Sequence, residues 1–229
     1  MISRKHSNRK AYNWLFYNIG DNCLKEYSKY YRGVMYDLGC GEAPFKEYFL
    51  RYVDEYVGVD WAGSYHNTEA DVSANLNNKL PINSGVADTV VSLSVMEHLS
   101  EPQLFLFETY RIMKDEAVLI MQVPWQWWIH EAPYDFFRYT PYGLTYLLKK
   151  AGFKDIVVKP QAGYFTTAIL KFNYFTARMV RGDSILKLII KAMLYPLWYL
   201  GQVLAPFLDK LDKNWSLESP GYYVVATKR

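Results

Sequence analysis

The chain has few cysteines and a small net charge, and each of these properties excludes a class of protein. Only two cysteines occur among the 229 residues, Cys23 and Cys40, and their spacing is not that of a metal site. The formal net charge is +3, and no tract of lysine and arginine is dense enough to cover a phosphate backbone. We therefore expect no nucleic-acid partner, and a reducing compartment, the cytoplasm.

We also expect no secretion signal. The basic residues Arg4, Lys5, Arg9 and Lys10 are followed by neither an uninterrupted apolar stretch nor a small-residue cleavage site. Apolar residues, by contrast, make up 51% of the chain, which is enough for a sizeable core. The predicted organisation is one α/β domain with an insertion.

A glycine turn follows the first predicted strand. The apolar segment 34–38 runs through Asp37 into Gly39-Cys40-Gly41, and Pro44 then suits the first turn of a helix. Glycine at these positions lets the backbone turn sharply and approach a ligand without a Cβ in the way. The pattern indicates a loop that binds a nucleoside cofactor.

A second strand, 55–60, ends in Asp60 about twenty residues after the turn, where α/β nucleotide folds place the carboxylate that accepts from ribose hydroxyls. A dinucleotide site is disfavoured, because Pro44 replaces the third glycine of the Gly-x-Gly-x-x-Gly fingerprint. The Asp37 carboxylate would also repel a pyrophosphate. A cofactor that carries positive charge fits this acid better.

This series of strands, glycines and acids resembles the class I S-adenosylmethionine-dependent methyltransferases over residues 35–153. The segment 130–140 looks like the branch that acts on small molecules and glycans. The resemblance implies an α/β, Rossmann-like seven-stranded sheet, with a last antiparallel strand at 221–227 and an α-helical insertion before it. It also implies S-adenosyl-L-methionine as the cofactor.

The resemblance assigns roles along the cofactor. Asp37 and the loop of Gly39, Cys40 and Gly41 would hold the methionine end, and Asp60, with Trp61 beside it, would hold the ribose. Asp71 would bind the adenine amino group, Val72 would offer backbone contacts, and Ser94 would face the methionine moiety. For Asp71, a turn or helix-cap acid is the equally weighted alternative.

The acceptor side depends on residues after the fourth and fifth strands. His130 is the hypothetical general base, oriented by Asp135, and His98 is the second candidate base. Trp127, Arg138 and Tyr139 would contact the substrate, with Arg138 on an anionic group. The alternative is that His98 is structural and that Asp135 and Arg138 only stiffen their loop. No metal ligands are predicted, and His6 and His66 are expected at the surface.

The predicted domains are a helical cap over 1–32, the cofactor-binding domain over 33–161 with 221–229, and an apolar insertion over 162–220. Between 184 and 208 the only charged residues are Lys187 and Lys191, yet Pro196, Gly201 and Pro206 interrupt the apolar run. A spanning helix would also separate the last strand from its sheet. A lid, a dimer contact and a peripheral membrane element therefore remain as alternatives.

Three local signals predict element ends. Ser100 to Gln103 reads as a capping box that opens a helix with a surface pair of Glu108 and Arg111. A turn at 114–117 precedes a fifth strand over 118–123. Thr140 and Pro141 open a further helix, which Gly152 ends.

The leading prediction is an O-methyltransferase acting on a small-molecule or glycan acceptor, with a lipid-linked acceptor suggested by the insertion. The second alternative is N- or C-methylation of an amine or a quinone-like acceptor, which needs no strong base. The third is a non-catalytic, cofactor-binding partner protein.

Overall fold

The computed structural model describes Ile2, residues 8–63 and residues 68–229. His6 and His66, both expected at the surface, and most of the first seven residues lie outside the described part of the chain.

The centre of the molecule is a seven-stranded mixed sheet, as the resemblance implied. Its order is β3-β2-β1-β4-β5-β7-β6, and β7 runs antiparallel to β5 while the pairs from β3 to β5 are parallel. The strands are β1 (Val34–Leu38), β2 (Glu55–Asp60), β3 (Val72–Ser73), β4 (Ala87–Leu93), β5 (Met113–Pro124), β6 (Lys154–Pro160) and β7 (Gly221–Thr227). The helices are α1 (Trp14–Tyr27), α2 (Lys46–Phe49), α3 (Pro102–Ile112), α4 (Pro141–Ala151), α5 (Tyr164–Met179) and α6 (Ile185–Asp209).

The strand order reverses between β1 and β4. Such a reversal opens a crevice at the carboxyl ends of the two strands, which is where open α/β sheets bind ligands. The central strands are buried on both faces, so they read as nearly continuous apolar runs such as 117–121 in β5. The glycine turn and the segment 94–98 both leave the sheet at this crevice.

Two predicted boundaries are wrong. The segment 114–117 belongs to β5, and the pairing advances from Ala87 with Met113 to Thr89 with Val118, so three extra residues bulge there. Helix α3 begins at Pro102 without a side-chain cap, because its N-cap residue is Glu101 and Ser100 lies one residue too early; the Ser100 hydroxyl instead donates to Asn77 Oδ1 at 3.3 Å. The signals at α4 are confirmed: Thr140 Oγ1 accepts from Gly143 N at 3.1 Å, and Gly152 ends the helix with φ +104°.

The predicted pair of Glu108 and Arg111 forms, at 2.7 Å. However, Glu108 is buried, and its carboxylate also accepts from Leu80 N at 2.8 Å. The pair therefore fastens the loop before β4 to α3, a role beyond that of a surface pair.

The chain forms two compact units, Met1–Leu24 with Pro160–Pro220, and Lys25–Lys159 with Gly221–Arg229. The second unit contains the sheet and is called the sheet unit below. The first, called the helical unit, joins most of the predicted cap to the predicted insertion. Each unit is built from segments that are distant in sequence.

Two buried polar side chains hold the helical unit together. Gln202 accepts from Leu15 N at 3.0 Å and donates to Ala11 O at 2.9 Å, so it serves an amide that the first turn of α1 leaves without a helical partner. The Asp209 carboxylate accepts from Gly163, Phe165 and Thr166 N at 3.0, 2.8 and 3.2 Å. It thereby caps α5 from the end of α6.

Helix α6 continues through Pro196, Gly201 and Pro206, so the predicted interruption is wrong. Trp198 is buried, and its Nε1–H donates to Thr176 Oγ1 at 2.9 Å. Among the described residues α6 alone is long and apolar enough to cross a membrane, and 17% of its most apolar window is buried. Its exposed apolar side chains include Ile185, Leu186, Ile189, Met193, Tyr199 and Phe207.

Candidate functional site

The glycine turn follows β1 at the crevice. Gly39 and Gly41 have φ of +87° and +53°, in the left-handed region that favours glycine. A Cβ on Gly39 would lie 2.4 Å from Val95 Cγ2, whereas a Cβ on Gly41 would meet nothing within 4 Å. Gly39 is therefore required by packing against the segment after β4, while Gly41 borders open space that a ligand can fill.

Asp60 lies at the end of β2 and holds the turn. Its two carboxylate oxygens accept from Gly41 N and from Trp61 N, both at 2.6 Å. Each oxygen retains a lone pair, so the carboxylate can also accept from a ligand hydroxyl. Trp61 is 40% exposed, and its ring meets the edge of Tyr134 at 5.9 Å between centroids.

Asp37 is buried beside the turn. Burial raises the pKa of its carboxyl to about 7, and the charge of Asp60 adds to the shift, while a hydrogen bond from the Tyr56 hydroxyl at 2.7 Å opposes it. Sequence reasoning missed Tyr56. The parallel register pairs Asp37 with Gly58, and Tyr56 lies two residues earlier on the same face, so the strand pattern contained the signal.

Asp71 lies beside β2, as the resemblance required. Its Oδ2 accepts from Gly58 N at 2.8 Å, and its Oδ1 is 3.8 Å from Lys46 Nζ. Val72 follows at the start of β3 and pairs with Val59. Part of the Asp71 carboxylate thus supports β2, consistent with the turn-acid alternative, while its half-exposed side chain borders the crevice.

Cys40 shows that these acids converge. Burial, together with the negative charges of Asp37, Asp60 and Asp71, raises the pKa of its thiol to about 12. Three carboxyls around the open space at Gly41 fit a cofactor that carries an ammonium, a sulfonium, a ribose and an adenine. Ser94, at the end of β4, has φ +58° and donates its N–H to Gln122 O at 2.9 Å.

A second group of polar side chains, Glu97, His98 and His130, lies after β4 and is called the His–Glu cluster below. The potential ligand atoms of the three residues lie within 4.8 Å of one another, and the two imidazole centroids are 4.8 Å apart. Glu97 and His98 come from a short 3-10 turn, and the backbone carbonyl of Glu97 accepts from Phe136 N at 2.9 Å. That bond fastens the loop containing His130 to the turn.

Burial has the largest effect on the pKa values of Glu97 and His130 in the His–Glu cluster. Burial raises the pKa of the Glu97 carboxyl to about 8, although Arg138 lowers it. Burial also lowers the pKa of His130, and neighbouring His98 lowers it further. A neutral imidazole at this position can accept a proton or bind a metal ion. Its predicted role as a base remains a prediction.

Arg138 does not fit its predicted role in binding an anionic substrate. A guanidinium has five N–H donors, and those of Arg138 go to two oxygens of Asp135 and to the carbonyls of Trp127, Trp128 and Phe137. Asp135 also accepts from His130 N at 2.8 Å. This pair therefore shapes the loop that carries His130, as the structural alternative proposed.

The two other residues predicted to contact the acceptor, Tyr139 and Trp127, lie in different environments. Tyr139 lies in the core and donates to Met96 O at 3.1 Å, so the structure places it away from a substrate. Trp127 stacks on Trp128 at 4.3 Å between ring centroids and is partly exposed, as an aromatic wall requires. The sequence analysis did not identify Tyr134 as a site residue. In the structure its backbone carbonyl lies 2.7 Å from His98 Nδ1.

Comparison with known proteins agrees with this architecture. Residues 36–121 match the family model described as a methyltransferase domain. No curated protein matches the sequence.

Several solved structures share the fold. Phosphoethanolamine N-methyltransferase 2 from Haemonchus contortus, in complex with S-adenosyl-L-methionine, is similar at 17% identity and a TM-score of 0.58 over 95% of this chain, which spans 56% of the length of that protein. A SAM-dependent methyltransferase from Archaeoglobus fulgidus has 17% identity and a TM-score of 0.58, covering 92% of this chain and 94% of that one. SpnF, a cyclase, has 15% identity and a TM-score of 0.57 over 91% of this chain and 81% of its own. At these identities the likeness shows the fold.

Proposed function

Because the chain carries a methyltransferase domain and has the fold of the class I S-adenosylmethionine-dependent methyltransferases, we propose that it methylates a hydroxyl oxygen of a small-molecule or glycan acceptor. The observation that carries the proposal is the His–Glu cluster beside the cofactor loop. A hydroxyl acceptor must lose a proton during transfer, and this cluster supplies groups that promote that loss.

The donor side uses the acids around the glycine turn. Asp37 faces the positive methionine end, Asp60 accepts from the ribose hydroxyls, and Asp71 accepts from the adenine amino group. S-adenosylmethionine supplies, when bound, a methyl group on a positively charged sulfur that leaves as a neutral thioether. The chain therefore mainly positions two reactants.

The two groups of side chains are neighbours in the sheet unit. Val95 contacts the position of Gly39, and Glu97 follows two residues later. Tyr134, whose carbonyl accepts from His98, also touches Trp61 next to Asp60. An acceptor placed at the cluster is thus close to the cofactor loop.

The transfer is an in-line displacement. With S-adenosylmethionine held by Asp37, Asp60 and Asp71, the acceptor oxygen would bond to the methyl carbon through its lone pair, and the electron pair of the carbon–sulfur bond would remain on sulfur. The His–Glu cluster accepts the hydroxyl proton. Exposed apolar residues on α6 support an acceptor with a lipid part, presented at a membrane surface.

Two measurements test the proposal. Calorimetry should show micromolar binding of S-adenosylmethionine, about 8 kcal/mol, and at least about hundredfold weaker binding in Asp60→Ala, which removes two charge-assisted hydrogen bonds. Methyl transfer should then be assayed with hydroxyl and amine acceptors, comparing His98→Ala and His130→Ala with the control Glu101→Gln.

We expect both histidine variants to lose transfer to hydroxyls by about a hundredfold or more, while binding the cofactor normally. Transfer to an amine or carbon that neither substitution affects would contradict the proposal and favour N- or C-methylation. Tight cofactor binding without any turnover, together with co-purification of one protein, would favour the non-catalytic alternative.

A further inference from the structure

We propose that the His–Glu cluster binds one divalent transition-metal ion, which activates the acceptor hydroxyl; the inference rests on the proposed transfer to oxygen. It assigns Glu97, His98 and His130 as ligands. With the ion bound, His130 serves as a ligand, and no longer as the base that the sequence predicted.

The spacing of the cluster suits an ion. Its potential ligand atoms lie within 4.8 Å of one another. Bonds of about 2.1 Å place neighbouring ligand atoms about 3 to 4 Å apart, so small side-chain rotations would close the cluster around a metal. The atoms come from the turn after β4 and from the loop that Asp135 and Arg138 hold in place.

Both imidazoles are oriented as metal ligands usually are. His98 Nδ1 lies 2.7 Å from Tyr134 O, and His130 Nδ1 lies 3.3 Å from Trp128 O and 3.4 Å from Asp135 Oδ2. An Nδ1–H that donates to a carbonyl or carboxylate leaves Nε2 with a lone pair, which is the usual arrangement around a metal-bound histidine. The Nε2 of His98 lies 3.7 Å from Glu97 Oε1.

Glu97 provides an independent argument. Its side chain is fully buried, and neither carboxylate oxygen has a hydrogen-bond partner in another residue of the described part of the chain. A buried carboxyl without partners costs folding free energy. Arg138, the cation that acts on it, has all its donors engaged elsewhere in the loop. A metal ion would supply both the missing charge and the missing bonds.

The composition of the site indicates the kind of metal and its use. Two imidazoles and one carboxylate favour zinc, iron, cobalt or nickel over magnesium, and they leave coordination positions open. Glu131 Oε2, 3.8 Å from His98 Nε2, is placed to be a fourth ligand. A cation at an open site lowers the pKa of a bound hydroxyl, so the acceptor proton would pass more easily to solvent water.

The test uses the full chain, purified without a histidine tag and stripped with EDTA. Zn²⁺ binding is measured by calorimetry and Co²⁺ binding by visible absorption, with Mg²⁺ for comparison. We expect one Zn²⁺ per chain, with Kd raised by more than about a hundredfold in His98→Ala and His130→Ala, above the loss caused by removing an outer partner. Glu101→Gln, an exposed acid outside the cluster, should leave Kd unchanged.

A second variant keeps the test valid if the alanine variants fold poorly. Glu97→Gln preserves the side-chain volume and removes the buried acid, so its metal-free form should melt at a higher temperature than the wild type. The same variant should lose the rise in melting temperature that Zn²⁺ causes in the wild type. A metal-free Glu97→Gln that melts lower, or that keeps the full Zn²⁺ effect, would overturn the assignment of Glu97.

Activity separates this inference from the proposed function. EDTA should leave cofactor binding unchanged and slow transfer to hydroxyls at least tenfold, with recovery on adding Zn²⁺. Absence of Zn²⁺ and Co²⁺ binding, with transfer intact after EDTA, would overturn the metal site and leave O-methylation standing. Metal binding by the three residues in a protein that methylates only amines would instead remove the proposed function.

Discussion

Asp37 is the residue at which stability and binding oppose each other. Its pKa is raised to about 7 by burial, so the folded protein binds a proton more tightly than the unfolded chain does. Protonation of Asp37 therefore stabilises the folded protein fully below the ordinary pKa of an aspartate. This stabilisation is lost as the pH rises through about 7, which lowers the free energy of unfolding by an amount of the order of 4 kcal/mol. A positively charged ligand would reverse this cost.

We expect Asp37→Asn to be more stable than the wild type at pH 8 and to lose stability less steeply between pH 5 and 7, because the amide stays neutral. The variant should bind the cofactor at least tenfold more weakly. Urea unfolding at several pH values checks the first point and calorimetry the second. Glu97 is present in both proteins, so its own effect cancels; parallel pH curves would contradict the interpretation.

At the scale of elements, Asp209 joins the end of α6 to the start of α5. Its carboxylate accepts from three amides of the α5 N-terminus, where backbone N–H groups have no helical partners. Asp209→Ala should therefore cost about 2 kcal/mol of unfolding free energy, whereas Asp209→Asn, which keeps one acceptor oxygen, should cost less. Denaturant unfolding measures both, and equal stability of all three proteins would refute the capping role.

The exposed apolar side of α6 predicts binding to lipid bilayers. Flotation with vesicles of mixed neutral and anionic lipids should recover the wild type, because insertion of apolar side chains into the interface is favourable. Leu186→Glu with Met193→Glu should reduce the bound fraction more than tenfold, since each buried apolar side chain contributes about 2 kcal/mol. Tyr146→Glu, an exposed position on α4, is the matched control.

Binding that the α6 changes leave intact would exclude this surface. Sedimentation of the same proteins separates the remaining alternatives: a wild-type dimer that the α6 changes dissociate would favour the dimer contact. Lys187 and Lys191 do not decide the matter, because their ammonium groups donate to Arg181 O and Gly182 O in the loop before α6.

At the scale of the whole molecule, the chain comprises two compact units, and the residues predicted to bind the cofactor lie in the sheet unit. We expect differential scanning calorimetry to show two transitions. S-adenosylhomocysteine at a hundred times its Kd should stabilise one of them by about 2.7 kcal/mol, and Asp209→Ala should lower the other. A single transition that both changes shift would contradict independent unfolding of the units.

The sheet and the cofactor loop could be predicted because their signals are local. Gly39, Gly41 and Asp60 occur at a spacing that a strand, a turn and a helix impose on a single segment of chain. The cap and stop at Thr140 and Gly152 are equally local. The local signals gave wrong boundaries where residues distant in sequence take part. The Ser100 hydroxyl donates to Asn77, and pairing with β4 extends β5 back to Met113.

The sequence by itself determined the class I architecture, because strand periodicity, glycine turns and the order of acids are properties of neighbouring residues. Only the tertiary structure decided which polar side chains form hydrogen bonds within the protein and which can still bind a ligand. The donors of Arg138 are all used by its own loop, and Asp209 and Gln202 bind backbone groups at the ends of other helices. Glu97 is buried beside two imidazoles, with no hydrogen-bond partner in another of the residues that the structure describes. The outcome for Arg138 depends on how its own loop folds back on it. The outcomes for Asp209, Gln202 and Glu97 depend on burial and on contacts across 30 or more residues of chain, as between His98 and His130, which a linear pattern does not contain.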